Sequence, residues 1–201
     1  YSHSSIRNLY LDTPDFRLIR RSLEKPVYKE KLRLRSYGRT DRDSPVFMEL
    51  KKKYRSIVYK RRLTLPYDRA LDCLTGACPW PETQIGGEIR YTVDFYPDLE
   101  SRVFLAYERD SWLAPESGLR ITFDDAIRFR TEELTLDSDP WGTALLGPDQ
   151  VLMELKAPGA IPLWMVRLLT EMRLYKTSFS KYGTAYQLLL EREWKGGKRY
   201  A

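Results

Sequence analysis

Between Tyr28 and Leu63 charged and apolar residues take turns through three successive segments. Lys31, Arg33 and Arg35 alternate with Leu32 and Leu34. Phe47, Glu49, Lys51 and Lys53 alternate with Met48 and Leu50, and Val58, Lys60 and Arg62 alternate with Tyr59, Arg61 and Leu63. A period of two predicts β-strands, because successive side chains on a strand point to opposite faces. The polar stretches 38–45 and 53–56 are short enough to close antiparallel hairpins. One face of this meander is therefore apolar and the other mostly cationic. The alternation returns downstream: Tyr107 and Arg109 with Ala106 and Glu108, Arg120, Thr122 and Asp124 with Leu119, Ile121 and Phe123, and Glu154 and Lys156 with Met153 and Leu155. Ile6, Leu9 and Leu11 predict an earlier strand, ended by the turn residues 12–16.

Other segments follow the helical period. A short helix is predicted from Arg69 to Thr75, stopped by Gly76. Ile85, Ile89, Val93 and Tyr96 give an amphipathic helix closed by Pro97. Val103–Trp112 and Gly118–Phe123 form a hairpin, with Ala126–Thr131 continuing as strand, 137–148 as loop and Val151–Lys156 as a returning strand. Pro162 suits the first turn of a helix reaching Leu174, with Leu163, Val166, Leu169 and Met172 as its buried stripe. A last helix covers Lys181 to Glu193, followed by a frayed basic tail from Lys195 to Ala201. Without repeats or linkers, the 201 residues read as a single α+β domain.

A lone amphipathic strand would show its charged face to water. Here Arg and Lys dominate the polar phase of several distant strands, which predicts one shared cationic lining. If helices cover the apolar faces, the charged faces curl inward and line a closed antiparallel β-barrel, which also removes the sheet edges. Like charges crowded into a partly dehydrated space need a neutralising guest. Arg offers a planar fork matched to phosphate oxygens and Lys a compact point charge, so the guest predicted is a triphosphate or polyphosphate.

Composition agrees with that direction. Lys+Arg number 34 against 28 Asp+Glu, a formal net charge of +6 that favours anionic partners. The chain has no apolar run long enough to cross a membrane as a helix. Cys73 and Cys78 are too few for a disulfide scaffold and irregularly spaced for a metal knuckle, so free thiols in a reducing cytoplasm are expected. His3, the only histidine, stands near the start of the chain and leaves no Ser–His or Cys–His machinery. Tyr59, Phe123 and Trp164 fall on core-facing stripes, which argues against a nucleic-acid groove with stacking aromatics.

The runs Asn8–Pro14, Lys31–Gly38, Glu49-Leu50-Lys51, Tyr107-Glu108-Arg109, Leu119–Asp124, Met153-Glu154-Leu155-Lys156 and Ser180-Lys181-Tyr182 together resemble the VTC domain, the polyphosphate polymerase module of the triphosphate tunnel metalloenzymes. The ordered set spans nearly the whole chain. The resemblance implies a triphosphate tunnel in which Arg33, Arg35, Lys51, Lys60, Arg109 and Arg120 hold phosphates and serve catalysis. Lys31, Lys53, Arg62, Lys156, Ser180 and Lys181 are the further substrate-binding candidates; the family often has a lysine where this chain has Ser178. The family also has a charged strand before the segment matching Ser5–Thr13, and a chain starting at Tyr1 without Met is expected to lack it.

Glu154 is the expected ligand for Mn²⁺ or Mg²⁺, since such ions take one or two carboxylates plus substrate phosphates. Its rival role is a counter-charge for Arg33 or Lys51. Glu49 is the second metal candidate, and both it and Asp124 read more readily as salt-bridge partners. The expected reaction moves the γ-phosphate of ATP onto inorganic polyphosphate, whose terminal phosphate is already anionic and needs no base. Hydrolysis of inorganic or nucleoside triphosphate and turnover-free sensing are the alternatives. The resemblance allows a membrane-protein partner that this chain does not encode.

Overall fold

The computed structural model describes residues 2–197. The period-two segments become β1 (Ser2–Asp12), β2 (Tyr28–Tyr37), β3 (Pro45–Tyr54), β4 (Ile57–Pro66), β5 (Glu100–Ala114), β6 (Leu119–Arg130), β7 (Thr143–Ala144) and β8 (Leu152–Lys156). They form one antiparallel sheet in the order β4-β3-β2-β1-β5-β6-β7, with β8 also paired to β6. The helices are α1 (Arg17–Leu23), α2 (Tyr67–Thr75), α3 (Gln84–Phe95), α4 (Leu163–Glu171) and α5 (Lys181–Gly197). The predicted tail thus begins inside α5, and its residues 198–201 lie outside the described ones. No helix among the described residues is long and apolar enough to cross a membrane.

Register fixes which residues share a face. Arg33 stands opposite Glu49 and Glu49 opposite Arg62, while Lys31, Lys51 and Lys60 make the adjoining row. Strand β1 joins the meander to β5, pairing Asn8 with Arg35 on one side and Leu105 on the other. The segments predicted as Gly118–Phe123 and Ala126–Thr131 run together as one continuous strand, β6, bounded by Leu119 and Arg130, whose register against β5 shifts between Ala106 and Glu108.

The architecture is α+β, but among the described residues no ladder joins β4 to β7 or β8, so the sheet is open where a closed barrel was expected. The helices are also not all on the outer side. Leu9, Leu11, Leu32, Leu34, Met48 and Leu50 pack with Ala70 and Cys73 of α2 and Ile89 of α3 on the uncharged face. Full burial of each leucine, isoleucine or methionine side chain among these contributes about 1.5–3 kcal/mol. On the opposite face the cations give way across β1, β5 and β6 to Ile6, Tyr10, Val103, Leu105, Tyr107 and Phe129, and this apolar ground is covered by Ile19 of α1 and by Tyr182, Ala185 and Tyr186 of α5. Helices therefore flank both sides of the sheet.

Asp12, fully buried at the end of β1, ties these parts together. Its carboxylate accepts hydrogen bonds from the backbone N–H groups of Thr13 (2.9 Å), Leu18 (2.8 Å) and Ile19 (3.0 Å) and from the Tyr182 hydroxyl (2.8 Å). It satisfies otherwise orphaned donors at the start of α1, a helix that hydrophobic period alone did not announce. Gly76 ends α2 in the left-handed region at φ 77°, where a side chain is disfavoured.

The predicted helix after Pro162 forms as α4, ending at Glu171, but its stripe is not buried. Leu163, Val166 and Met172 are exposed and Met165 is the buried residue of the helix. Both apolar sheet faces are already covered by other helices, which leaves α4 no face to occupy. Tyr59 and Trp164 are exposed as well, not core-facing; Tyr59 lies on the edge strand β4.

A cationic sheet face organised by two buried carboxylates

On β3, Glu49 is 2% exposed and forms ion pairs with four cations, Arg33, Arg35, Lys60 and Arg62. Its Oε2 takes Arg33 Nε (2.9 Å) and Nη2 (2.7 Å), with Arg35 Nε 3.7 Å away. Its Oε1 takes Arg62 Nε (2.9 Å) and Nη2 (2.6 Å) and Lys60 Nζ (3.1 Å). Burial pushes the carboxyl pKa up, but the Arg33 and Arg35 guanidiniums outweigh it and hold the pKa at about 2. Arg33 also donates to the Tyr10 hydroxyl at 2.9 Å, and Arg35 donates to Asn8 Oδ1 at 2.9 Å and towards the Tyr107 hydroxyl at 3.4 Å. These contacts fix the direction of each fork.

The second hub is Asp124 on β6, fully buried. Arg109 donates Nε (2.5 Å) and Nη2 (2.7 Å) to it, and Lys181 at the start of α5 donates Nζ at 2.5 Å. Burial opposes the charge on Asp124, yet the hydrogen bonds from Arg109 and Lys181 keep its pKa below the ordinary carboxylate value. The ammonium of Lys181 also lies over the Tyr107 ring, 4.6 Å from its centroid. One residue earlier, Ser180 Oγ accepts from Lys31 Nζ at 3.2 Å. The first turn of α5 thereby bridges the β2 cations to those of β5 and β6.

The remaining candidates hold the same face but not the same degree of enclosure. Lys51 shares its row with Lys31 and Lys60, and Lys53 lies one row further, opposite Lys29. Arg120 stands opposite Lys156 and Thr122 opposite Glu154 on the β6–β8 ladder, beyond the Arg109–Asp124 pair. Glu154 is half-exposed and meets Lys156 Nζ at 3.1 Å, not Arg33 or Lys51. Its charge still reaches Arg109, where it helps raise that guanidinium's pKa. At Lys31, burial and the neighbouring Lys29, Lys51 and Arg33 lower the ammonium pKa.

Glu49 does not fit a metal, because both its oxygens are already taken by cations that would repel a divalent ion. No cluster of three or more metal-ligating side chains occurs among the described residues. Glu154 fits only as the single protein carboxylate of an ion otherwise held by phosphate oxygens and water. Sequence reasoning missed Asn8, Tyr10 and Tyr107 as orienting partners of the arginines. Their signal was present, since Tyr107 shares the phase of Arg109 and Asn8 begins the Asn8–Pro14 run.

A family model described as the VTC domain matches residues 1–190. Among solved structures, a Bacillus halodurans protein described as a candidate adenylate cyclase aligns with 89% of this chain and 79% of its own, at 15% sequence identity and a TM-score of 0.51. At that identity the likeness speaks to the fold alone. No curated protein matches the chain.

Proposed function

The chain belongs to the VTC domain family, and from that premise we propose that it is a metal-dependent phosphotransferase that moves the γ-phosphate of ATP onto a growing inorganic polyphosphate. The observation that carries the reading is the cationic surplus left on one sheet face after Glu49 and Asp124 are saturated. Such a surplus favours a polyanion that competes for the outward N–H groups of the same forks. Arg33, Arg35, Lys51, Lys60 and Arg62 grip one stretch of the phosphate chain, with Lys31 and Lys53 extending the row. Arg109, Arg120, Lys156, Ser180 and Lys181 grip another, and closure of the sheet into a tunnel around the guest belongs to this proposal.

Phosphoryl transfer proceeds through a loose transition state in which positioning and charge stabilisation dominate. The forks held by Glu49 and Asp124 are pre-oriented, so little reorganisation is needed as charge shifts towards the leaving oxygen. A Mn²⁺ or Mg²⁺ ion held by Glu154 and the phosphates would neutralise charge on the bridging oxygens. The acceptor phosphate is anionic and needs no base. Hydrolysis of triphosphate is the second reading, favoured by the half-exposed Glu154, which admits water to that end of the site. A cytoplasmic location, where ATP is abundant, goes with either.

Incubating the full-length protein with ATP and Mn²⁺ should yield ADP and long-chain polyphosphate in step, resolved by gel electrophoresis. Free phosphate in place of polymer would transfer the assignment to the hydrolase, and tight ATP binding without any turnover would make the protein a sensor.

A further inference from the structure

The charged face has an aromatic end. Tyr37 closes β2 on the same face as Arg33 and Arg35, and Phe47 stands opposite Arg35 on β3. The two rings meet edge to face, their centroids 5.7 Å apart at 81°. The Arg62 guanidinium lies over Phe47, 4.7 Å from the centroid, while its Nη2 holds Glu49 at 2.6 Å. Tyr37 is nevertheless 52% exposed. Nothing in the phosphate-binding proposal uses this pair. The other tyrosines of this face, Tyr10 and Tyr107, are buried beneath cations or α5, and Tyr182 of α5 is itself buried against Tyr10, so none has an open ring to offer.

At the opposite end of the same three strands the face carries Lys29 and Lys53 with Val58, and no ring. The β2–β4 surface is thus polar along its length: an open aromatic platform beside Arg35 and Arg62 at one end, lysines at the other. A nucleoside triphosphate has the matching asymmetry, a flat π-surface at one end and an anionic chain at the other. Base–aromatic stacking works for every nucleobase, because each has a π-face.

We propose that the Tyr37–Phe47 pair, backed by Arg62, is the platform on which the nucleobase of the donor nucleotide stacks. The triphosphate then runs from Arg35 and Arg62 towards Lys31, Lys51 and Lys60, which sets the direction in which the donor lies on the face. The inference rests on the triphosphate reading above and adds to it the source of preference for a nucleotide over a bare phosphate chain.

Calorimetry with ATP and with tripolyphosphate, on the wild type, Tyr37→Ala and Tyr37→Phe, tests it. Removal of the ring in Tyr37→Ala should weaken ATP binding roughly tenfold while tripolyphosphate affinity stays within about twofold. Tyr37→Phe keeps the ring and should bind both ligands as the wild type does. Equal losses for the two ligands in Tyr37→Ala, or no loss for ATP, would overturn the platform. A wild type that binds tripolyphosphate but not ATP would overturn it too and leave the polyanion site standing, whereas a wild type that binds neither would overturn both.

Discussion

Glu49→Gln is expected to destabilise the protein by about 3–5 kcal/mol, the usual consequence of removing one partner from a buried ion pair. For a chain of this size that corresponds to a melting temperature lower by on the order of 10 °C. The amide keeps the shape of the carboxylate but leaves Arg33, Arg35, Lys60 and Arg62 facing one another without a counter-charge. Sulfate or tripolyphosphate should restore more stability to this variant than to the wild type, since the anion takes over part of the lost neutralisation. The wild type carries the same dependence on acid. With its pKa lowered from 4.5 to about 2 in the fold, Glu49 contributes its stabilisation fully above the unfolded value and loses it as pH falls through that window. Thermal scans of both proteins across this range check the assignment. A Glu49→Gln as stable as the wild type, with the same acid profile, would remove Glu49 as the organiser of the face.

Glu154→Gln separates metal chemistry from simple pairing. If Glu154 holds the divalent ion, turnover should fall by on the order of 10²-fold or more, because charge on the bridging oxygens goes unneutralised in the transition state. Tripolyphosphate affinity in metal-free buffer should hold or rise, since a repulsive carboxylate has gone from beside Arg109. If Glu154 serves only Lys156, a half-exposed pair worth roughly 0–1 kcal/mol, stability moves little and turnover per folded molecule is unchanged. Mn²⁺-dependent turnover and metal-free affinity measured on one preparation tell these apart, and full activity in Glu154→Gln would end the metal role.

The strands and their phase were legible in the sequence because side-chain alternation is a local property. The alternation of Lys31, Arg33 and Arg35 against Leu32 and Leu34 requires no knowledge of partners. The hubs were less legible. That four cations converge on Glu49 depends on the registers of β2 against β3 and β3 against β4, which local patterning leaves open. The same holds for Asp124, whose partner Lys181 arrives from the start of a helix 57 residues away. Helix α1 escaped notice because its cap, Asp12, serves from inside the preceding strand. For α4, the stripe from Leu163 to Met172 has the right spacing, but spacing cannot say whether a sheet face remains to receive it. Closure of a barrel is likewise a property of edges that meet or do not, and β4 and β8 do not.

The central claim, that this sheet face is a polyanion site, is tested most directly by a thermal scan with tripolyphosphate. Preferential binding to the folded state should raise the wild-type melting temperature at millimolar ligand, by about 2.7 kcal/mol of stabilisation when the ligand stands at a hundred times its Kd. Arg33→Ala should blunt the shift, since it removes a half-buried fork from the middle of the face. A wild type whose melting temperature does not move at millimolar tripolyphosphate, at low ionic strength, would contradict the claim.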